Sequence, residues 1–259
     1  ASGEWDLSGL NDMIGERTRL VSVGHVSNAL GIINPIDRVI EAAHAKGVPV
    51  LIDGAQGVPH LPVDVQELDC EFYAFSAHKV YGPTGVGALV AKGSVLADMP
   101  PWQGGGDMIE RVSFRGTTFA APPNRFEAGT PNIADVIGFG AALEYVDSIG
   151  MTNIAAAEDR LLQYGTEALK AIDGLRIIGD APRKGALFSF VMGDIHPHDI
   201  GTILDHEGIA IRSGHHCAQP VMEYFQIGAT ARASLAFYNT EDEIDTLVAG
   251  LKKVQSLFA

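Results

Sequence analysis

The stretch Phe72-Tyr-Ala-Phe-Ser-Ala-His-Lys-Val-Tyr-Gly-Pro-Thr-Gly-Val-Gly87 decides how this chain folds. It opens on alternating aromatics, Phe72, Tyr73 and Phe75, which read as a short buried strand. The polar run Ser76-Ala77-His78-Lys79 follows, and Gly82-Pro83-Thr84-Gly85 is a turn. The apolar run Val86 to Val90 leads back into a sheet. Lys79 is thus held between a strand end and a rigid turn. A free lysine titrates near ~10.4 and is a poor nucleophile at neutral pH, but desolvation or a neighbouring cation can lower that value greatly. A lysine so placed either forms a Schiff base with a carbonyl or is a solvated loop residue, and this stretch alone does not choose.

Working outward, the same strand-then-polar pattern recurs. Arg19 to Gly24 is a buried strand followed by His25-Val-Ser-Asn28, and Val48 to Ile52 is a second strand with Asp53 at its carboxyl end. A helix is expected between them from about Pro35 to Lys46, with Pro in its first turn and Gly47 at its end. Strands alternating with helices indicate an α/β fold with a mainly parallel sheet, which binds ligands just past its strand C-termini. Residues 93–131, rich in Gly and Pro, read as a long irregular segment of the kind that is functional or lies at an interface. Ile133 to about Ile172 is helical with a break at Gly150, and Val136, Phe139, Gly140, Leu143 and Tyr145-Val146 approximate one apolar face. Beyond it come strands Leu175–Ile178, Ala186–Met192, Ile209–Arg212 and Thr230–Leu235, a helix near His198–His206, and a closing helix from Thr240, which has capping-box spacing to Glu243. Two units are expected: a large cofactor-binding domain over 1–145 and a smaller α+β domain over 146–259.

The 259 residues can bury a large core, and 46% are hydrophobic. A net charge of −14 argues against nucleic acid or an anionic membrane as partner. No apolar run is long enough to span a bilayer, and no basic, apolar leader opens the chain. The two cysteines, Cys70 and Cys217, suit a reducing compartment, so a cytoplasmic location is expected. The chain begins Ala1-Ser2-Gly3 without Met, which reads as processing or a fragment.

Two further centres carry chemistry. Asp53 in Asp-Gly-Ala-Gln-Gly57 is either a solvated turn residue or a carboxylate sharing a cleft with Lys79, where it could keep a pyridine nitrogen protonated. In Arg212-Ser-Gly-His-His-Cys-Ala-Gln-Pro220 a partly exposed Cys217 could be activated to thiolate by positive charge from Arg212, His215 or His216. His-His-Cys is rich in metal ligands, but three consecutive residues seldom converge on one ion and no partnering pair has zinc spacing, so no metal is expected. Cys70, on a strand of aromatics, reads as core. Arg232 near the end of a strand needs an anion, internal or from a substrate.

Taken in order, His25-Val-Ser-Asn28, Asp53-Gly-Ala-Gln-Gly57, Ser76-Ala-His-Lys-Val-Tyr-Gly-Pro-Thr-Gly85, Arg125-Phe-Glu-Ala-Gly-Thr-Pro-Asn132, Arg212-Ser-Gly-His-His-Cys-Ala-Gln-Pro220 and Arg232-Ala-Ser-Leu-Ala-Phe-Tyr-Asn-Thr240 resemble the SufS-type (group II) cysteine desulfurases, class V members of the fold-type I pyridoxal-phosphate enzymes. The resemblance implies that Lys79 holds pyridoxal 5′-phosphate and moves the Cα proton of the substrate. It further implies that Asp53 pairs with the ring nitrogen, Gln56 bonds the phenolic oxygen, and Ser76 and His78 bind the phosphate. Thr130 would reach the phosphate of a neighbouring subunit, which makes a homodimer the expected assembly. Asn28 and Arg232, with Arg212 beside them, would hold the carboxylate of L-cysteine. Cys217 would take its sulfur as a persulfide, leave alanine, and pass the sulfur to an acceptor protein for iron–sulfur cluster assembly. Family members carry a long N-terminal portion ahead of the point where this sequence begins, so the chain is expected to be N-terminally incomplete. Rival readings are a selenocysteine lyase, another class V enzyme, or a truncated, non-catalytic scaffold.

Overall fold

A computed structural model describes residues 2–258. In chain order the elements are α1 (Leu10–Met13), β1 (Val21–Gly24), α2 (Ile36–His44), β2 (Val50–Asp53), α3 (Val65–Leu68), β3 (Phe72–Ser76), β4 (Gly87–Ala91), α4 (Gly93–Asp98), β5 (Ile109–Ser113), β6 (Gly116–Phe119), α5 (Ile133–Ile149), α6 (Met151–Lys170), β7 (Leu175–Ile178), β8 (Leu187–Met192), α7 (Pro197–His206), β9 (Arg212–Gly214), α8 (Gln219–Tyr224), β10 (Thr230–Ser234) and α9 (Glu241–Leu257).

The first sheet runs β1-β2-β3-β4, with β1, β2 and β3 parallel and β4 returning antiparallel to β3. Its strands are short, four or five residues each, and mostly apolar. Helix α2 covers one face because Ile36, Val39, Ile40 and Ala43 recur at helical spacing and all four are buried. It stops where Gly47 takes φ 67°, a conformation glycine adopts without the Cβ penalty. Val50, Ile52, Cys70 and Tyr73 complete that core, so Cys70 packs as its apolar surroundings imply. The second sheet, β7-β8-β10-β9, is antiparallel throughout, and Phe188, Phe190, Leu204, Leu251 and Val254 fill the space between it and its helices.

Two smaller clusters join the sheets. One holds Ala77, Val80, Phe139, Val146 and Ile154, with Tyr81 and Phe237 against it, and so sits under the Lys79 turn. The other packs Leu30 and Ile32 against Ile178 and Met222, with Ala218 alongside, under the Cys217 loop.

Three expectations change. Residues 93–131 are not wholly irregular: α4 and the β5–β6 hairpin lie within them. Every residue of β5 and β6 is exposed, so neither strand carries an apolar period to betray it. On α5 only Phe139, Ala142 and Val146 are buried, while Val136, Leu143 and Tyr145 face outward; a helix apolar all round has no single face to find. The strand expected at Ile209–Arg212 begins at Arg212, because Ile209 closes α7 through its N–H to the Leu204 carbonyl (2.9 Å) and packs its side chain into the core. The break at Gly150 (φ 88°) and the Thr240–Glu243 capping box stand as expected.

Candidate active site

The parallel strands end in a row. Gly24 pairs with Asp53 and Asp53 with Ala74, and the ladder is extended by His25 N–H to the Asp53 carbonyl and Gly54 N–H to the Ala74 carbonyl, both 2.8 Å. Asn28, Asp53, Gln56, Ser76, His78 and Lys79 therefore leave the sheet from one edge. Asp53 is exposed, and its Oδ1 accepts the Ala55 N–H at 2.9 Å. The turn that follows lies directly on the Tyr73 ring: a Cβ on Gly57 would come within 2.7 Å of both His25 Nδ1 and the Tyr73 hydroxyl. Those two atoms are themselves 2.9 Å apart in a buried pair. Burial, aided by Arg183, holds His25 down at about 4, so its ring is neutral at physiological pH, and burial pushes the Tyr73 phenol up.

Lys79 closes a single 3₁₀ turn, Ala77–Lys79, which is half-buried at the lysine and anchored by buried Ala77 and Val80. The N–H groups of Val80 and Gly82 both bond the Ala77 carbonyl (2.8 and 2.9 Å), and Tyr81 takes φ 60°. No ion pair among the described residues includes Lys79. The Tyr81 ring meets Phe237 and Tyr238 edge-on at 5.3 and 6.2 Å, tying the lysine turn to the segment that follows β10.

The second centre is set by antiparallel register. Arg212 on β9 pairs directly with Arg232 on β10, two like charges opposite one another, an arrangement that is unfavourable unless an anion lies between them. Arg232 is half-buried; burial and then Arg212 lower its pKa. Its Nη1 donates to the Asn28 carbonyl at 2.7 Å, while its buried Nε has no partner. The edge of the guanidinium bearing Nε therefore keeps an unsatisfied donor, which a carboxylate would match. Asn28 also sends its side-chain amide to the His216 carbonyl at 2.7 Å, so Arg232, Asn28 and the cysteine loop are linked in series across the two sheets. Cys217 is exposed, and it lines a pocket of about 440 Å³ with Arg212, Ser213, His215, His216, Gln219 and Pro220.

The model of the class-V aminotransferase family matches residues 1–247. The chain belongs to that family. A "Cysteine desulfurase" of Cronobacter sakazakii is 54% identical to this class-V chain over 256 residues, 98% of it and 63% of the relative. Among solved structures, the Escherichia coli cysteine desulfurase CsdA is 41% identical with a TM-score of 0.90, covering 97% of this chain and 63% of that one. The apo cysteine desulfurase of Thermococcus onnurineus is 38% identical with a TM-score of 0.93, over 98% and 64%. The class-V chain thus spans just under two thirds of the length of these relatives.

Within this class-V chain the structure brings Asn28, Arg212, Arg232 and Cys217 together at one pocket and its margin, and sets Asp53, Gln56, Ser76, His78 and Lys79 along the adjoining sheet edge. Lys79 is not a wall of the cysteine pocket; the two centres meet through Asn28 and through the Tyr81–Phe237 contact. Thr130 is exposed in the segment ahead of α5. No cluster able to hold a metal exists among the described residues. The charge expected on His216 is absent at neutral pH: burial, with Arg232 next in effect, lowers its pKa to about 4. Sequence reasoning gave no role to Tyr73, Ser189 or Thr230, or to the buried Glu158, which meets His60 Nδ1 at 2.8 Å. Their only signal is a polar side chain inside an apolar run, visible at Ser189 in Leu187-Phe-Ser-Phe-Val-Met192.

Proposed function

We propose that this chain forms the larger part of a pyridoxal-phosphate-dependent cysteine desulfurase of the SufS type, converting L-cysteine to alanine with the sulfur retained on Cys217. The observation that carries the reading is the opposed pair Arg212–Arg232, with an unpartnered guanidinium edge, beside an exposed cysteine. An anionic substrate satisfies the first, and a sulfur nucleophile is supplied by the second.

The donor set suits the cofactor. Among the described residues Lys79 makes no ion pair and Asp53 commits only Oδ1, and Ser76 and His78 add donors at the same edge. Lys79 Nζ would hold the aldehyde, Asp53 the ring nitrogen, Gln56 the phenolic oxygen, Ser76 and His78 the phosphate, with Thr130 reaching the phosphate of a second copy in a homodimer. When bound, pyridoxal phosphate supplies an electron sink for charge developing at the substrate Cα. Arg232 and Arg212 fix the substrate carboxylate, with Asn28 closing the third side. Lys79 Nζ removes and returns the Cα proton. Cys217 Sγ attacks the substrate sulfur; an S–S bond forms as the Cβ–S bond breaks, and Cβ keeps that electron pair and gains a proton. Alanine leaves, and the extra sulfur stays on Cys217 for an acceptor protein serving iron–sulfur cluster assembly. We assign the cofactor lobe to 1–145 and the cysteine lobe to 146–259, and place the protein in the cytoplasm; no described helix is long and apolar enough to cross a membrane.

The test is the absorbance spectrum of the full-length protein titrated with pyridoxal phosphate and then cysteine. A visible band that Lys79→Ala abolishes, together with alanine formed from cysteine, is the expected result. A full-length protein that binds the cofactor yet forms no alanine would overturn the reading.

A further inference from the structure

His216 and Cys217 are adjacent residues with β-carbons, and both lie in the left-handed region, at φ 55° and 58°. Each costs backbone energy there that a glycine would not, so the surroundings must impose the conformation. The constraint converges on His216. Its neighbours His215 and Cys217 are exposed, whereas its own ring is buried, 2% accessible, beneath the loop. Nε2 lies 2.9 Å from Thr230 Oγ1, and Thr230 Oγ1 lies 2.7 Å from Ser189 Oγ. Thr230 and Ser189 are wholly buried, on the neighbouring strands β10 and β8 in the middle of the second sheet. From the other side, Asn28 holds the carbonyl of His216. One residue is therefore gripped by its ring from within the sheet and by its carbonyl from across the lobes.

Nδ1 of the ring has no partner. An unmatched lone pair is cheaper to bury than an unmatched N–H, which favours the tautomer with its hydrogen on Nε2, donated to Thr230 Oγ1, and leaves the Thr230 hydroxyl to donate to Ser189. A neutral ring suits this arrangement, and the burial and nearby guanidinium groups that disfavour its protonation act in the same sense. Apolar side chains could fill the volume without burying three polar groups. What the Ser189–Thr230–His216 hydrogen bonds add is a directional constraint on the ring.

We propose that His216 is a positioning residue for Cys217: the Ser189–Thr230–His216 chain fixes the backbone of the thiol-bearing loop so that the sulfur is presented in one orientation. The proposal rests on Cys217 being the nucleophile. Thr230→Val keeps shape and β-branching but deprives the ring of its acceptor, and Thr230→Ser restores the hydroxyl. In the full-length protein loaded with pyridoxal phosphate, Thr230→Val should lower kcat for alanine formation about ten- to a hundredfold. KM for cysteine should stay within about twofold, since Asn28, Arg212 and Arg232 are untouched, and Thr230→Ser should recover most of the loss. Independently of turnover, hydrogen exchange of amides 213–218 should speed up in Thr230→Val and not in Thr230→Ser, with β8 exchange unchanged. Wild-type kcat and loop exchange in Thr230→Val would overturn the proposal, and so would faster exchange throughout β8 and β10 with KM rising alongside, which marks a purely structural role. If Thr230→Val does not fold, Ser189→Ala, one link further from the loop, carries the same test at smaller size. Absence of alanine from the wild type would sink the desulfurase reading alone, because the exchange comparison needs no turnover.

Discussion

In the first sheet three parallel strands end within two residues of one another, and each sends its next few residues over the same edge. In the second, antiparallel strands set side chains opposite one another, Arg212 against Arg232 and Gly214 against Thr230. Parallel ends gather groups by sequence position alone: a residue just past a strand is delivered to the edge whatever its neighbours do. Antiparallel pairing gathers them by register, so the identity of the opposing residue matters as much as the residue itself. The first sheet therefore supplies a ledge of separate donors suited to a large, multi-armed cofactor. The second supplies a tight charged pair and one gripped loop, suited to a small substrate and one reacting atom.

The hardest break in this comparison is to remove the thiol proposed as the nucleophile. Cys217→Ala should abolish alanine formation from cysteine, a loss of at least about 10³-fold, while leaving the cofactor absorbance of the full-length protein intact. Retained absorbance with normal sulfide release would show that the second sheet does not carry the nucleophile. Next in size is Arg232→Lys. Lysine keeps the charge but loses the planar edge bearing Nε, so KM for cysteine should rise about ten- to a hundredfold, the worth of a charge-assisted hydrogen bond, with cofactor binding unchanged. An unaltered KM would mean that the unpartnered guanidinium edge is not where the carboxylate docks.

The same contrast explains what the sequence could disclose. Asp53 and Lys79 are legible because each follows an apolar run and precedes a glycine turn, a local pattern. The β5–β6 hairpin is not, since exposed strands carry no alternation. That Arg212 faces Arg232 is invisible in sequence, because 15 residues, 215–229, and a helix separate strands whose register only the fold sets. The neutrality of His216 is likewise non-local: it stems from burial and then from Arg232, whereas the local pattern His-His-Cys suggested a cation.

Each sheet also buries one histidine, and both should be felt in the pH dependence of stability. His25 and His216 are each held near 4, against an ordinary value of 6.5. Between those values the unfolded chain binds protons that the folded chain refuses, so stability is full above about 6.5 and falls as pH drops toward 4. Each group contributes up to about 1.4 kcal/mol per pH unit across that window. Urea midpoints at pH 7.5 and 5.0 would measure the fall, and His25→Asn should reduce its slope without removing it. A flat profile would mean that neither ring is as buried in solution.

The smallest effect sharpens the contrast at helix ends. Helix α9, which covers the second sheet, begins in a reciprocal cap: Thr240 Oγ1 accepts the Glu243 N–H at 3.3 Å, and Glu243 Oε2 accepts the Thr240 N–H at 2.9 Å. Helix α5 starts at Asn132, whose side chain makes no cap and donates instead to Asp135 Oδ2. Thr240→Ala leaves the Glu243 N–H to water and should cost about 1 kcal/mol, or about 2–4 °C in Tm for a chain of this size. Asn132→Ala removes no backbone partner and should stay within about 0.5 kcal/mol. Equal losses at the two positions would show that the reciprocal bonds are not what holds the α9 terminus. In that case the acidic first turn, Glu241-Asp242-Glu243 against the helix dipole, would have to supply the difference.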